Sequence, residues 1–231
     1  MQHFTPSAQG RPVSITQSTE SQVYALFGLA MGITVAGVYI GSLYAPIIMS
    51  SGIYIFFLII QFGLILTSRI WMNKSPLNYI LFAIFPLFSG FAITPLILST
   101  IAGYANGTAI LLNALSATAF MAASAAVFAR TTSWNLSVMG RGLFFALIGL
   151  ILLGLLQMFI PGLRTTQFEL MLSGAGVVIF GLFTAYDFQR VAQMSRQGAN
   201  PIMLALSLYL DIFNLFLYIL RFMLALSGNR R

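Results

Sequence analysis

Four acidic residues are all that this chain of 231 carries: Glu20, Glu169, Asp187 and Asp211. Two of them stand where a charge is costly. Asp211 lies inside the apolar run 201–227, which is long enough to cross a bilayer. Asp187 lies 24 positions earlier, near the end of the preceding apolar run. A carboxylate so placed costs ~2.5–3.5 kcal/mol on insertion scales, which marks it for function. Two carboxylates close together in a low-dielectric interior cannot both ionise cheaply, so they share a proton. Such a pair can serve as a pH-dependent latch or as a cation site. Hard oxygen ligands suit Ca²⁺, but two carboxylates are too few for a tight site. A weak, transit-type Ca²⁺ site at Asp187 and Asp211 is the chemistry these residues predict.

The surroundings of Asp211 narrow this further. Ser207, Asp211, Asn214, Tyr218 and Arg221 recur at steps of 4, 3, 4 and 3, which places them on one face of a helix. A polar stripe on a spanning helix cannot face lipid, where unsatisfied polar groups cost several kcal/mol each. The helix therefore belongs inside a bundle. Ser207 and Asn214 serve equally well there as hydrogen-bonding glue between helices. Arg69, at the end of the second apolar run, is a candidate counter-charge and latch. It reads also as a plain topology residue.

The elements that must hold the pair are helices in a membrane. The chain is 59% hydrophobic and 6% charged, against about 25% charged in soluble domains. Its net charge of +7 is scattered singly between apolar runs, so it signals topology and not a nucleic-acid surface. Having no cysteine, the chain has no thiol chemistry. Its one histidine, His3, sits in a polar segment, 1–22, read as a disordered cytoplasmic tail. Residues 23–231 form the bundle, with seven predicted spans at 23–48, 52–72, 77–101, 108–129, 141–160, 168–190 and 201–227. Pro86 and Pro95 bend the third. Ala114 to Ala126 in the fourth, and Gly174, Gly176 and Gly181 in the sixth, offer small faces for close approach.

Counting Lys and Arg places the N-terminus in the cytoplasm: seven basic residues flank the inner ends and three the outer. Asp187 then lies near the cytoplasmic end of the sixth helix. Asp211 lies ~10 residues, or ~15 Å, into the seventh. Joined by the short turn at Gly198, Asn200 and Pro201, the two helices run antiparallel, with both carboxylates at similar depth.

The words FTAYDFQRV (183–191) and ALSLYLDIFNLFLYILRFM (205–223) resemble the Bax inhibitor-1 (transmembrane Bax inhibitor motif) family, of the bacterial type. The resemblance implies an all-α membrane bundle in which six helices wrap a central seventh. It implies a pH-sensitive calcium leak gated by the two aspartates, which map to Asp187 and Asp211. It also implies a second-helix arginine latched to the sixth-helix aspartate, for which Arg69 is the best match. The bacterial inner membrane is the implied location, with no cofactor and with Ca²⁺ as the permeant ion. Some relatives of this kind are implicated in modulating a membrane-bound AAA protease. That gives the alternative of a non-transporting membrane interaction protein that modulates such a protease or a stress or cell-death pathway. An intramembrane aspartyl protease would also pair carboxylates, but it carries a Gly-x-Gly-Asp word where this chain has Tyr209-Leu210-Asp211. A non-enzymatic role is therefore expected. A retinal Schiff base is excluded, because the lone lysine, Lys74, lies in a loop.

Overall fold

A computed structural model describes residues 18–228. His3, Arg11 and most of the expected polar tail lie outside the described residues, as do Arg230 and Arg231. The described chain is helical throughout. Its helices are α1 (Thr19–Leu43), α2 (Ala45–Ser51), α3 (Ile53–Leu66), α4 (Ser68–Trp71), α5 (Leu77–Gly103), α6 (Gly107–Thr131), α7 (Gly140–Phe159), α8 (Thr166–Ser195) and α9 (Pro201–Ser227). Short 3₁₀ turns cover Leu136–Met139 and Pro161–Leu163. Polar side chains start α1, α8 and α9 by taking a free backbone N–H. Ser18 accepts from Ser21 N, Thr165 from Phe168 N and Asn200 from Ile202 N. Pro201 follows Asn200 at the first helical position, where its missing N–H costs nothing.

Six helices are long and apolar enough to cross a membrane, and seven spans result if the bent pair α2–α3 counts as one. The first span stops at Leu43 rather than at 48, and the bend between α2 and α3 stands where the predicted second span begins, at 52. The axes of α2 and α3 meet at 81°. Gly52 makes the corner, at φ +67°, a left-handed setting that L side chains avoid. A second break at Thr67 cuts off the single turn of α4, which carries Arg69. Both breaks fall at short polar words, Ser50-Ser51-Gly52 and Thr67-Ser68-Arg69. The seventh span matches its predicted bounds, 201–227.

Helix α9 is the centre. Of its most apolar stretch 61% is buried, against at most 39% in any other spanning helix. It packs against α1, α5, α6 and α8. One core cluster joins Val23, Phe82, Phe85, Val191 and Leu206 around Tyr209. A second joins Ile93, Ile110, Phe180 and Ile219 around Leu215. Asp211 falls between them in sequence. Helices α1 and α5 approach backbone to backbone through Gly37 and Gly90. A Cβ at Gly90 would meet the Thr34 carbonyl oxygen, and would lie 2.7 Å from Val38 N. The small face of α6 is only half used for packing. Ala114 is fully buried, but Ala119, Ala122, Ala123 and Ala126 line an apolar groove of about 890 Å³ between α1 and α6.

Candidate functional site

Helices α8 and α9 run antiparallel from a tight turn, and this brings the two aspartates together. Gly198 sits in the turn at φ +74°. Asn200 ties the turn to the α4–α5 connection by donating to Met72 O and Asn73 Oδ1, each at 2.9 Å. Asp187 is 3% exposed and Asp211 8%, so both carboxyls are out of solvent. They lie within hydrogen-bonding reach of each other. One oxygen of each, Oδ2, is buried without a partner. An unpaired buried carboxylate oxygen is expensive, so the pair retains bonding capacity for a proton or a cation.

The counter-charge is Arg190, one turn along α8. Its Nη1 stands 3.6 Å from Asp187 Oδ1 and donates to Ser207 Oγ at 3.4 Å; its Nε points at Met194 Sδ at 3.3 Å. The guanidinium thus bridges α8 to α9 beside the pair. Ser207 reaches Asp187 as well. Arg69 is not brought to the pair: it is exposed on α4, and the arginine that ion-pairs with Asp187 is Arg190. Arg69 stands on the single turn of α4, beyond the break at Thr67, and that turn packs on α3 and α5.

The predicted stripe follows the α8–α9 interface. Below Asp211, Asn214 bonds back to Leu210 O at 2.7 Å within its own helix. The Tyr218 ring stacks on Phe180, centroids 5.5 Å apart, and lies on Gly176, where a Cβ would strike the ring. A Cβ at Gly174 would lie 3.5 Å from the Phe222 ring, and one at Gly181 would lie 3.3 Å from Met121 Cε. At the opposite end Arg221 Nε stands 3.5 Å from Glu169 Oε1, while Gln157 Nε2 donates to Glu169 Oε2 at 2.9 Å. A cavity of about 530 Å³ opens there, lined by Glu169, Arg221, Arg164 and Tyr104.

Two features escape the sequence reading. Arg190 looks like a flanking charge, although its spacing of three from Asp187 was visible. The partnership of Glu169 with Arg221 crosses 52 positions and had no local signal. Among the described residues no three His, Cys, Asp or Glu side chains gather as metal ligands. The chemistry on offer is that of one carboxyl pair: exchanging a proton and attracting a cation weakly.

Comparison with known proteins agrees with this architecture. A family model described as "Inhibitor of apoptosis-promoting Bax1" matches residues 16–229. An uncharacterized protein of Campylobacter jejuni is 30% identical over 210 residues, covering 90% of this chain and 88% of its own. One from Borreliella burgdorferi is 32% identical over 224 residues, covering 91% of each. The inner membrane protein YbhL of Escherichia coli is 29% identical over 177 residues, 73% of this chain and 70% of its own. With a multi-pass helical bundle, a buried carboxyl pair on its central hairpin and a match over nearly its whole length, the chain belongs to the Bax inhibitor-1 family.

Proposed function

We propose that this protein is a pH-sensitive cation leak channel of the bacterial inner membrane, with its N-terminus in the cytoplasm and Ca²⁺ as the permeant ion. The observation that carries the reading is the pair itself: Asp187 and Asp211 face each other in the interior, each with an unpartnered oxygen. Structural glue needs no titratable group, whereas proton exchange does.

The geometry supplies a latch. The ionised Asp187 pairs with Arg190 within α8, and that pair holds the guanidinium where it donates to Ser207 of α9; protonation of Asp187 removes the charge that keeps it there. Acidification neutralises the pair, frees the guanidinium and loosens the interface, so flux rises as pH falls. The polar stripe from Ser207 to Arg221 provides the track.

Ca²⁺ entry into proteoliposomes from about pH 6 to 8 tests this. Asp187→Asn mimics the protonated latch and is expected to leak at every pH. Asp211→Asn leaves Asp187 alone with Arg190 and is expected to stay shut over the same range. Wild-type flux and pH response in both variants would overturn the proposal. Co-purification of a stoichiometric membrane AAA protease, with no flux in the reconstituted protein, would favour the interaction reading.

A further inference from the structure

A second polar network lies on the other side of α9. Residues two apart on a helix point ~200° away from each other, so Tyr209 faces opposite to Asp211. Tyr209 is fully buried, with Phe85 edge-on at 6.1 Å and Phe213 stacked at 5.5 Å. Its hydroxyl stands 2.8 Å from Thr34 Oγ1 on α1 and within bonding reach of Ser89 on α5. Ser89 Oγ in turn accepts from Gln61 Nε2 of α3, and Gln61 also donates to Phe85 O at 3.2 Å. Gln61, Ser89, Tyr209 and Thr34 are all buried. Four helices are joined by one chain of side-chain hydrogen bonds at the level of the aspartates.

Interhelical packing in lipid gains little from hydrophobic burial, since the tails are as apolar as the helix faces. Smooth apolar faces do not fix the rotation of a helix about its axis; directional hydrogen bonds do. We propose that Tyr209 is a positioning residue: through Thr34, Ser89 and Gln61 it sets the rotation of α9, aims Asp211 at Asp187 and couples the bent α2–α3 segment to the carboxyl pair. The inference rests on reading that pair as the titrating centre.

Among the described residues, the groups that bond or act by charge on the pair are Arg190 of α8 and Ser207 of α9. Glu20 of α1 and Arg130 of α6 pair with each other at 2.6 Å. Helix α5 carries no charged residue, and Arg141 of α7 is exposed. A change in the titration of the pair after altering Tyr209 must therefore arrive through the position of α9.

The test reads the carboxyls directly. The C=O stretch of protonated aspartic acid, followed by infrared spectroscopy against pH in lipid, is assigned by its loss in Asp211→Asn. Tyr209→Phe keeps the ring and removes the hydroxyl. It is expected to move the midpoint of that band by about half a pH unit or more, the equivalent of one ordinary hydrogen bond. Thr34→Val is expected to do the same, whereas Thr34→Ser is expected to titrate as wild type. Thr100→Val removes a buried hydroxyl that bonds only Leu96 O of its own helix, and serves as the control. Wild-type midpoints in both Tyr209→Phe and Thr34→Val would overturn the proposal. Should Tyr209→Phe fail to fold, the contrast between Thr34→Val and Thr34→Ser decides the matter in the same way. If the band moves as expected while no protein passes Ca²⁺, the leak reading fails and the positioning role stands.

Discussion

Removing the guanidinium beside the aspartates separates two possible latches. At 3.6 Å, the Arg190–Asp187 attraction lies between ~1 kcal/mol in water and ~5 kcal/mol at an effective dielectric of 20. The Arg190 side chain is 30% exposed and that of Asp187 4%, so solvent screens the pair from one side. A value of about 1–2 kcal/mol follows, which corresponds to about one pH unit. Arg190→Gln keeps a donor for Ser207 but loses the charge. Without the cation, the pair takes up its proton more readily. The flux profile of Arg190→Gln is therefore expected to move to higher pH by about one unit, with leak above wild type at the alkaline end. Arg69→Gln, altering an exposed residue remote from the pair, is expected to leave the profile in place. Ca²⁺ entry into proteoliposomes, run on wild type and the two variants side by side, reads both. A shift in Arg69→Gln with none in Arg190→Gln would refute the reasoning and return the latch to α4.

Two further outcomes follow from packing and surface charge. Gly90→Ala puts a methyl group against the backbone of Thr34, Gly37 and Val38, which cannot step aside as a side chain can. Overpacking of about 1–3 kcal/mol outweighs the ~1 kcal/mol that alanine gains over glycine in a helix, so thermal unfolding in detergent should fall to lower temperature; an unchanged midpoint counts against the close α1–α5 approach. Glu20→Gln breaks the 2.6 Å pair with Arg130, whose side chain is 60% exposed, and should cost less than about 1 kcal/mol in the same assay.

The sequence revealed the site through what is scarce in it. In a chain with four acids, a carboxylate within an apolar run is conspicuous, and steps of 4 and 3 from Ser207 to Arg221 orient it. The same scarcity misled the reading of Arg190. A lone arginine at a helix end satisfies the positive-inside pattern, so nothing singled it out as the counter-charge. Hydropathy found the spans but not all of their breaks: Ser50-Ser51-Gly52 stands between the first two predicted spans, whereas Thr67-Ser68-Arg69 lies inside the second and is too short a polar word to end an apolar run. The Gln61–Ser89–Tyr209–Thr34 network was illegible for a different reason. Each of its helices contributes one unremarkable polar residue, and Thr34 and Tyr209 meet across 175 positions.

The charge state of the site explains why one guanidinium can do two jobs under the leak reading. An aspartate pair sharing one proton carries a single negative charge, and Arg190 cancels it. A neutral cluster is the cheapest way to keep ionisable groups in a membrane interior. A cation entering that cluster would have to displace Arg190, since two carboxylates cannot satisfy a divalent ion and a guanidinium together. Freeing Arg190 by protonation therefore opens the interface and removes the competing positive charge in one step. A third carboxylate would turn this crossing point into a trap by holding Ca²⁺ too tightly to let it pass. Among the described residues no third carboxylate joins the pair.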